Sequence, residues 1–141
     1  MSLSVPIQDR IIAAGVYTLS LLLPIPLLAI LIAYLLYRLL KNHSSFIEKH
    51  VKQNINFITS LHIYLLVLFL FQLAAANLGG GLEWLIEKVP LIGITLTLGG
   101  ITSIFFLIIG VFLFTAVLLV LILFALFGQW YRLPLLIRFV K

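Results

Sequence analysis

LIGITLTLGGITSIFFLIIGVFLFTAVLLVLILFALF, residues 91–127, runs for 37 positions without a charged side chain. A helix needs about 20 apolar residues to cross the hydrocarbon core of a bilayer. At 1.5 Å per residue this run would make about 55 Å of helix, more than one simple span. Gly99 and Gly100 divide it. The reading predicts a short, partly embedded segment over residues 90–98 and a full span from about residue 101 to 127. Thr95, Gly99 and Ser103 recur every fourth residue. Small residues at that spacing let helices approach closely in lipid, although chance gives such a stripe equally well.

Two further charge-free stretches lie upstream, residues 11–37 and 53–82. The whole 141-residue chain is 64% hydrophobic and 9% charged. Soluble domains carry nearer to 45–50% apolar and about 25% charged residues. A chain of this size in water could not bury so much apolar surface, whereas a bilayer removes the need. The expected fold is therefore all-α: a polytopic transmembrane helical bundle of about four hydrophobic helices with an interfacial helix, forming a single membrane domain.

The upstream runs can be subdivided. In residues 10–40, Pro24-Ile25-Pro26 removes two backbone donors and disfavours the helical region before each proline. A kinked single span and a pair of short helices, 10–23 and 27–40, both fit; a straight helix over the run would be about 45 Å long, which favours the break. Residues 41–52, KNHSSFIEKHVK, are the most polar segment. Ser45 with Glu48 three residues on makes a capping-box pattern, so a helix should begin near Phe46. Phe46, Ile47 and Val51 would face lipid, with Lys49 and Lys52 toward water, as in an interfacial helix; a plain polar loop is the alternative. A span follows over about 54–76. Residues 77–100 are a Gly-rich connection holding Gly79, Gly80, Gly81 and the interfacial Trp84. The first run is expected to be retained, because Arg10 stands beside Asp9 and no small-residue cleavage site follows.

Cysteine is absent, which excludes disulfides, thiolate metal sites and cysteine nucleophiles. The formal charge of +5 does not point to nucleic acid, since the cations flank hydrophobic runs. With a hairpin at 10–40, eight cations share one side and Lys88 is alone on the other; a single crossing makes the division seven to two. Either way the positive-inside rule places residues 41–52 and the C-terminus in the cytoplasm of a bacterial cell, with the protein in the cytoplasmic membrane.

Polar side chains at membrane depth are costly and mark interfaces or function. Gln53, Asn56, Ser60 and Tyr64 lie three and four residues apart and so share one helical face, with His50 and Lys52 just before it. That face could bond to another helix, bind headgroups or line a wet path. His43, His50 and His62 do not pair at i, i+4, and the acids Asp9, Glu48, Glu83 and Glu87 lie near span ends, so no metal or cofactor site is expected. Neither a Ser/His/Asp grouping nor a phosphate-binding glycine loop is present, and the chain is not read as an enzyme. The tail, GQWYRLPLLIRFVK, ends the last helix at Gly128. Tyr131 and Trp130 suit an interface, Pro134 blocks further helix, and Arg132 and Arg138 can snorkel to phosphates, which makes a membrane-hugging strap. Arg132 or Arg138 is expected to bond to Asn56 or to the helix end beside it.

Residues 44–66, SSFIEKHVKQNINFITSLHIYLL, and the tail at 128–141 together resemble an uncharacterised family of small bacterial membrane proteins. Phe46, His50, Lys52, Asn56 and Phe57 carry the first motif. Gly128, Tyr131, Pro134, Ile137, Arg138 and Phe139 carry the second. The sequence departs from that pattern at residues 78–100. The family is distantly similar to the membrane component of the Tic chloroplast import translocon, and the resemblance implies a translocation-related role. Two functions follow as expectations. One is a non-enzymatic membrane-complex subunit or accessory protein, whose partners are membrane lipids, other membrane proteins or further copies of itself, and not nucleic acid. The other is a channel or protein-translocation component.

Overall fold

The structure is a computed structural model that describes residues 5–23, 26–78, 80–134 and 136–140. Among them every regular element is a helix: α1 (Ile7–Leu22), α2 (Pro26–Leu40), α3 (Ser45–Asn77), α4 (Gly80–Lys88) and α5 (Pro90–Leu126). The all-α expectation is met. Among the described residues two helices, α3 and α5, are long and apolar enough to cross a bilayer, so the expected transmembrane bundle of about four hydrophobic helices is met in part. At 15 and 16 residues, α2 and α1 measure only about 22–24 Å, short of the roughly 30 Å hydrocarbon core. Pro24 and Ile25 of the expected break lie outside the described residues, as does Gly79. Leu23, at φ −118° and ψ 73°, has already left the helix.

Two compact units divide the chain, one of Met1–His62 with Phe114–Lys141 and one of Ile63–Leu113. In the first, α1, α2, the opening turns of α3 and the closing turns of α5 surround a core of Ala13, Ala14, Tyr17, Ala29, Ala33, Ile55, Ile58, Leu118, Leu121 and Ala125. Alanines supply much of it. Among helices in lipid no hydrophobic force drives association, so close approach and dispersion must do so, and small side chains permit that approach. Phe57 stacks on Phe114 with ring centroids 5.7 Å apart. A second cluster joins Val16 of α1 to Ile47 and Val51 of α3.

This cluster corrects the interfacial reading of residues 41–52. Ile47 and Val51 are fully buried against protein rather than turned to lipid. The segment is no separate helix, because residues 45–52 are the first two turns of a continuous 33-residue α3. The capping frame also shifts by one residue: Ser44 Oγ accepts from the backbone N–H of Ile47 at 3.3 Å. Glu48 instead pairs with Lys52 at 2.7 Å, one helical turn on.

In the second unit α5 lies against the C-terminal half of α3 and, at its start, against α4. α5 runs unbroken through Gly99 and Gly100, contrary to the division expected there. Those glycines mark close approach. A Cβ on Gly99 would lie 2.5 Å from the Phe71 ring, and one on Gly100 would lie 3.2 Å from the Ala75 methyl. Gly93 is tighter still, since its Cβ would meet the Ile86 backbone nitrogen at 2.5 Å. Of the expected small-residue stripe, Gly99 and Ser103 face a neighbouring helix. Ser103 Oγ donates to Gln72 Oε1 at 2.9 Å, while exposed Thr95 donates back to the Leu91 carbonyl of its own helix.

Candidate functional site

The first four turns of α3 bury an unusual run of polar groups: His50, Gln53, Asn54, Asn56 and Ser60. A buried polar group is costly unless it is hydrogen-bonded, so each must be traced to a partner. Three features surround them, two of which supply partners.

On one side stands α1. The Tyr17 hydroxyl lies 3.0 Å from His50 Nδ1 and 3.3 Å from the His50 carbonyl, with the two rings edge to face. One turn on, Asn54 Nδ2 donates to Ser20 Oγ at 2.9 Å. Tyr17 and Ser20 were not singled out from sequence. Their signal is two polar residues three apart in the largely apolar stretch 11–22 of α1, which is faint without knowledge of the facing helix.

On the other side lies the tail. Gly128 closes α5 in the left-handed region, at φ 70°. Its N–H donates to Ala125 and that of Gln129 to Phe124, the paired bonds of a Schellman ending. Beyond it the chain is non-helical through the described residues, so its backbone groups need partners from elsewhere. α3 supplies them. Asn56 Oδ1 accepts from the N–H groups of Phe139 and Val140 at 2.9 and 3.0 Å, and Asn56 Nδ2 donates to the Val140 carbonyl at 2.9 Å. Ser60 Oγ accepts from Ile137 N–H at 2.9 Å and stands 3.3 Å from the Ile137 carbonyl. The expected link between the tail and Asn56 thus exists, but tail backbone makes it, not Arg132 or Arg138. A side-chain amide offers a donor and an acceptor side by side, which matches the N–H and C=O of one residue, Val140, in a non-helical chain.

The third feature is a cavity of about 390 Å³ between the start of α3 and the tail. Lys49, Lys52 and Gln53 line it from α3, and Arg132 and Arg138 from the tail. Leu133, Leu136 and Trp130 form its apolar wall. Lys49 Nζ lies 5.7 Å from the centre of the Trp130 ring, within cation–π range. Gln53 is only 6% exposed, and its Nε2 finds no acceptor among the described residues. His50 Nε2 is likewise buried without a hydrogen-bond partner among the described residues.

The structure therefore gathers His50, Lys52, Gln53, Asn56 and Ser60 with Gly128, Tyr131, Arg132, Pro134 and Arg138 in one unit. Tyr131 stacks on Phe124 at 5.9 Å, and Pro134 lies in the non-helical tail. Tyr64, expected on the same face, belongs to the other unit and is 45% exposed. Among the described residues no group of three His, Asp or Glu side chains is placed to hold a metal.

The sequence model of the magnetosome magnetite crystal formation protein family matches residues 8–140, all five helices and nearly the whole tail. The chain belongs to that family. This overturns the resemblance to a Tic-related family: the His50, Asn56 and tail motifs sit in a magnetosome protein, and no likeness to the Tic component is found. No curated protein and no solved structure matches the chain.

Proposed function

We propose that this member of the magnetosome magnetite crystal formation family is a non-enzymatic integral protein of the magnetosome membrane that takes part in crystal formation as a subunit or accessory of a membrane complex. The family match over residues 8–140 carries the reading. Two helices of spanning length and many exposed large apolar side chains on α3 and α5 support a lipid environment. In this reading α3 and α5 cross the bilayer. The short pair α1 and α2 inserts beside the start of α3 and completes a four-helix polytopic bundle. The tail and the opening turns of α3 lie on the cytoplasmic face, where Lys49, Lys52, Arg132 and Arg138 satisfy the positive-inside bias. Partners are lipids, other membrane proteins or further copies of the chain.

The polar face of α3 acts as an internal anchor in this reading. Asn56 and Ser60 are engaged by the tail, which speaks against a continuous wet path along that face. The test is deletion of the coding sequence in a magnetosome-forming host, with crystal size and shape measured by electron microscopy and the protein located by fractionation. The expected result is altered crystals, restored by the parent chain, and protein recovered in the magnetosome membrane. Unchanged crystals in the deletion strain, or a protein confined to other membranes, would sink the reading.

A further inference from the structure

We propose that the cavity between the start of α3 and the tail is a binding site for a phosphate group, carried by a lipid headgroup or free in solution. The first observation is convergence. Lys49 and Lys52 come from α3, while Arg132 and Arg138 come from a tail some 80 residues later in the chain, yet all four line one cavity. Their meeting is a product of the fold and not of a local basic run. Among the described residues no carboxylate lines that wall. The neighbouring Glu48 is partly exposed and paired to Lys52, so water screens what it offers.

The second observation is independent of charge. Gln53 is nine-tenths buried, lines the cavity, and leaves its Nε2 donor without an acceptor among the described residues. A buried donor left unpaired is costly. An anionic oxygen in the cavity would satisfy it. Asn56 also borders the cavity, but its amide is already engaged by the tail backbone at both its oxygen and its nitrogen. The donor set is then one amide N–H, two ammonium groups and two guanidinium forks. Guanidinium pairs with phosphate oxygens two at a time, and ammonium contributes point charge. Hydrogen bonds to Asn56 and Ser60 hold Ile137, Phe139 and Val140, so the backbone at Arg138 is positioned before a ligand arrives, which lowers the ordering cost of binding. The apolar wall of Leu133 and Leu136 leaves room for an ester arm.

The test uses the full chain in a non-ionic maltoside detergent at constant ionic strength. A Trp84→Phe background leaves Trp130 as the sole indole, since the sequence has two tryptophans. Trp130 fluorescence is followed while sodium phosphate, or dihexanoyl phosphatidylglycerol below its micellar concentration, is added in place of chloride. The expected result is saturable binding of at least one source. It should weaken at least about tenfold in Arg132→Gln/Arg138→Gln, which removes both forks. It should weaken severalfold in Gln53→Leu, which alters no charge. Saturation by both sources shows that the phosphate group suffices; saturation by the lipid alone assigns the site to a headgroup. Failure of both to saturate overturns the proposal, and so does binding that survives unweakened in either variant. Helical circular dichroism checks folding, with Gln53→Met, closer in shape, replacing Gln53→Leu if the latter loses it.

Discussion

The two compact units keep their helices together by different means. In the unit that contains the tail, the contacts that select one arrangement are hydrogen bonds from the sides of α3: His50 to Tyr17, Asn54 to Ser20, Asn56 and Ser60 to tail backbone. In the unit of residues 63–113, α4 and α5 instead come within glycine distance of their neighbours, and a side-chain bond between helices joins Ser103 to Gln72. The hydroxyls of Thr95, Thr97 and Thr102 all turn back onto carbonyls of α5 itself. In lipid both solutions are available, since neither needs water to drive it. They differ in what they demand of the sequence. Bonds need a particular polar residue, whereas close approach needs only the absence of a side chain.

The comparison breaks most readily where close approach meets backbone. Gly93→Val should be the most damaging single change in the molecule. Its Cβ would fall 2.5 Å from the Ile86 nitrogen and 2.6 Å from Ile86 Cα, and neither atom can rotate aside. Overpacking costs about 1–3 kcal/mol, and an immovable neighbour puts this site at the upper end, about 3 kcal/mol. Gly99→Ala makes the control. Its new methyl meets the Phe71 ring, which can swing, so the loss should be smaller. Thermal unfolding in detergent ranks the two. Equal losses would show that the glycines do not act through approach.

Asn56→Leu tests the other mode and should rank next. It leaves the N–H groups of Phe139 and Val140 and the Val140 carbonyl without their partner. An unsatisfied buried group costs about 1–3 kcal/mol, but a tail released toward water recovers part of that, so the net loss should be about 2 kcal/mol. The distinguishing readout is local. Hydrogen exchange at Phe139 and Val140 should accelerate together with proteolysis of the tail, while exchange in α4 stays as in the parent. Uniform acceleration throughout would mean that Asn56 supports the fold at large and not the tail.

How much of this was legible in the sequence follows the same division. Length and the missing charges of residues 53–82 and 91–127 foretold α3 and α5, because a charge-free run of that length suits little besides a bilayer or a deep core. The spacing of Gln53, Asn56 and Ser60 foretold a shared polar face. Its partner was not legible: the tail answers Asn56 with peptide groups, which every residue carries, so no side chain advertises the pairing. Ile47 and Val51 were misassigned because hydropathy scores lipid and protein interior alike. Gly99 and Gly100 read as a break because glycine weakens an isolated helix by about 1 kcal/mol relative to alanine. That preference is overridden once Phe71 and Ala75 occupy the space a Cβ would need. The capping frame slipped at Ser44-Ser45, where two adjacent serines offer the same signal and only backbone geometry selects Ser44.

The smallest effect sharpens the comparison rather than breaking it. If the unit of residues 63–113 depends on close approach, its bond between Ser103 and Gln72 should matter little. Hydrogen bonds between membrane helices average about 0.6 kcal/mol, since the separated helices find other partners. Ser103 also sits 2.8 Å from the Gly100 carbonyl of its own helix, so its hydroxyl has a second acceptor whether or not Gln72 is present. Ser103→Ala, Gln72→Leu and the double variant form a cycle that isolates the pair. The expected coupling is at most about 0.6 kcal/mol, with Gln72→Leu near neutral because Ser103 keeps its second acceptor and an apolar side chain replaces an amide at membrane depth. Coupling near 2 kcal/mol, comparable to Asn56→Leu, would mean that both units rely on polar pairing and that the glycines merely make room for it.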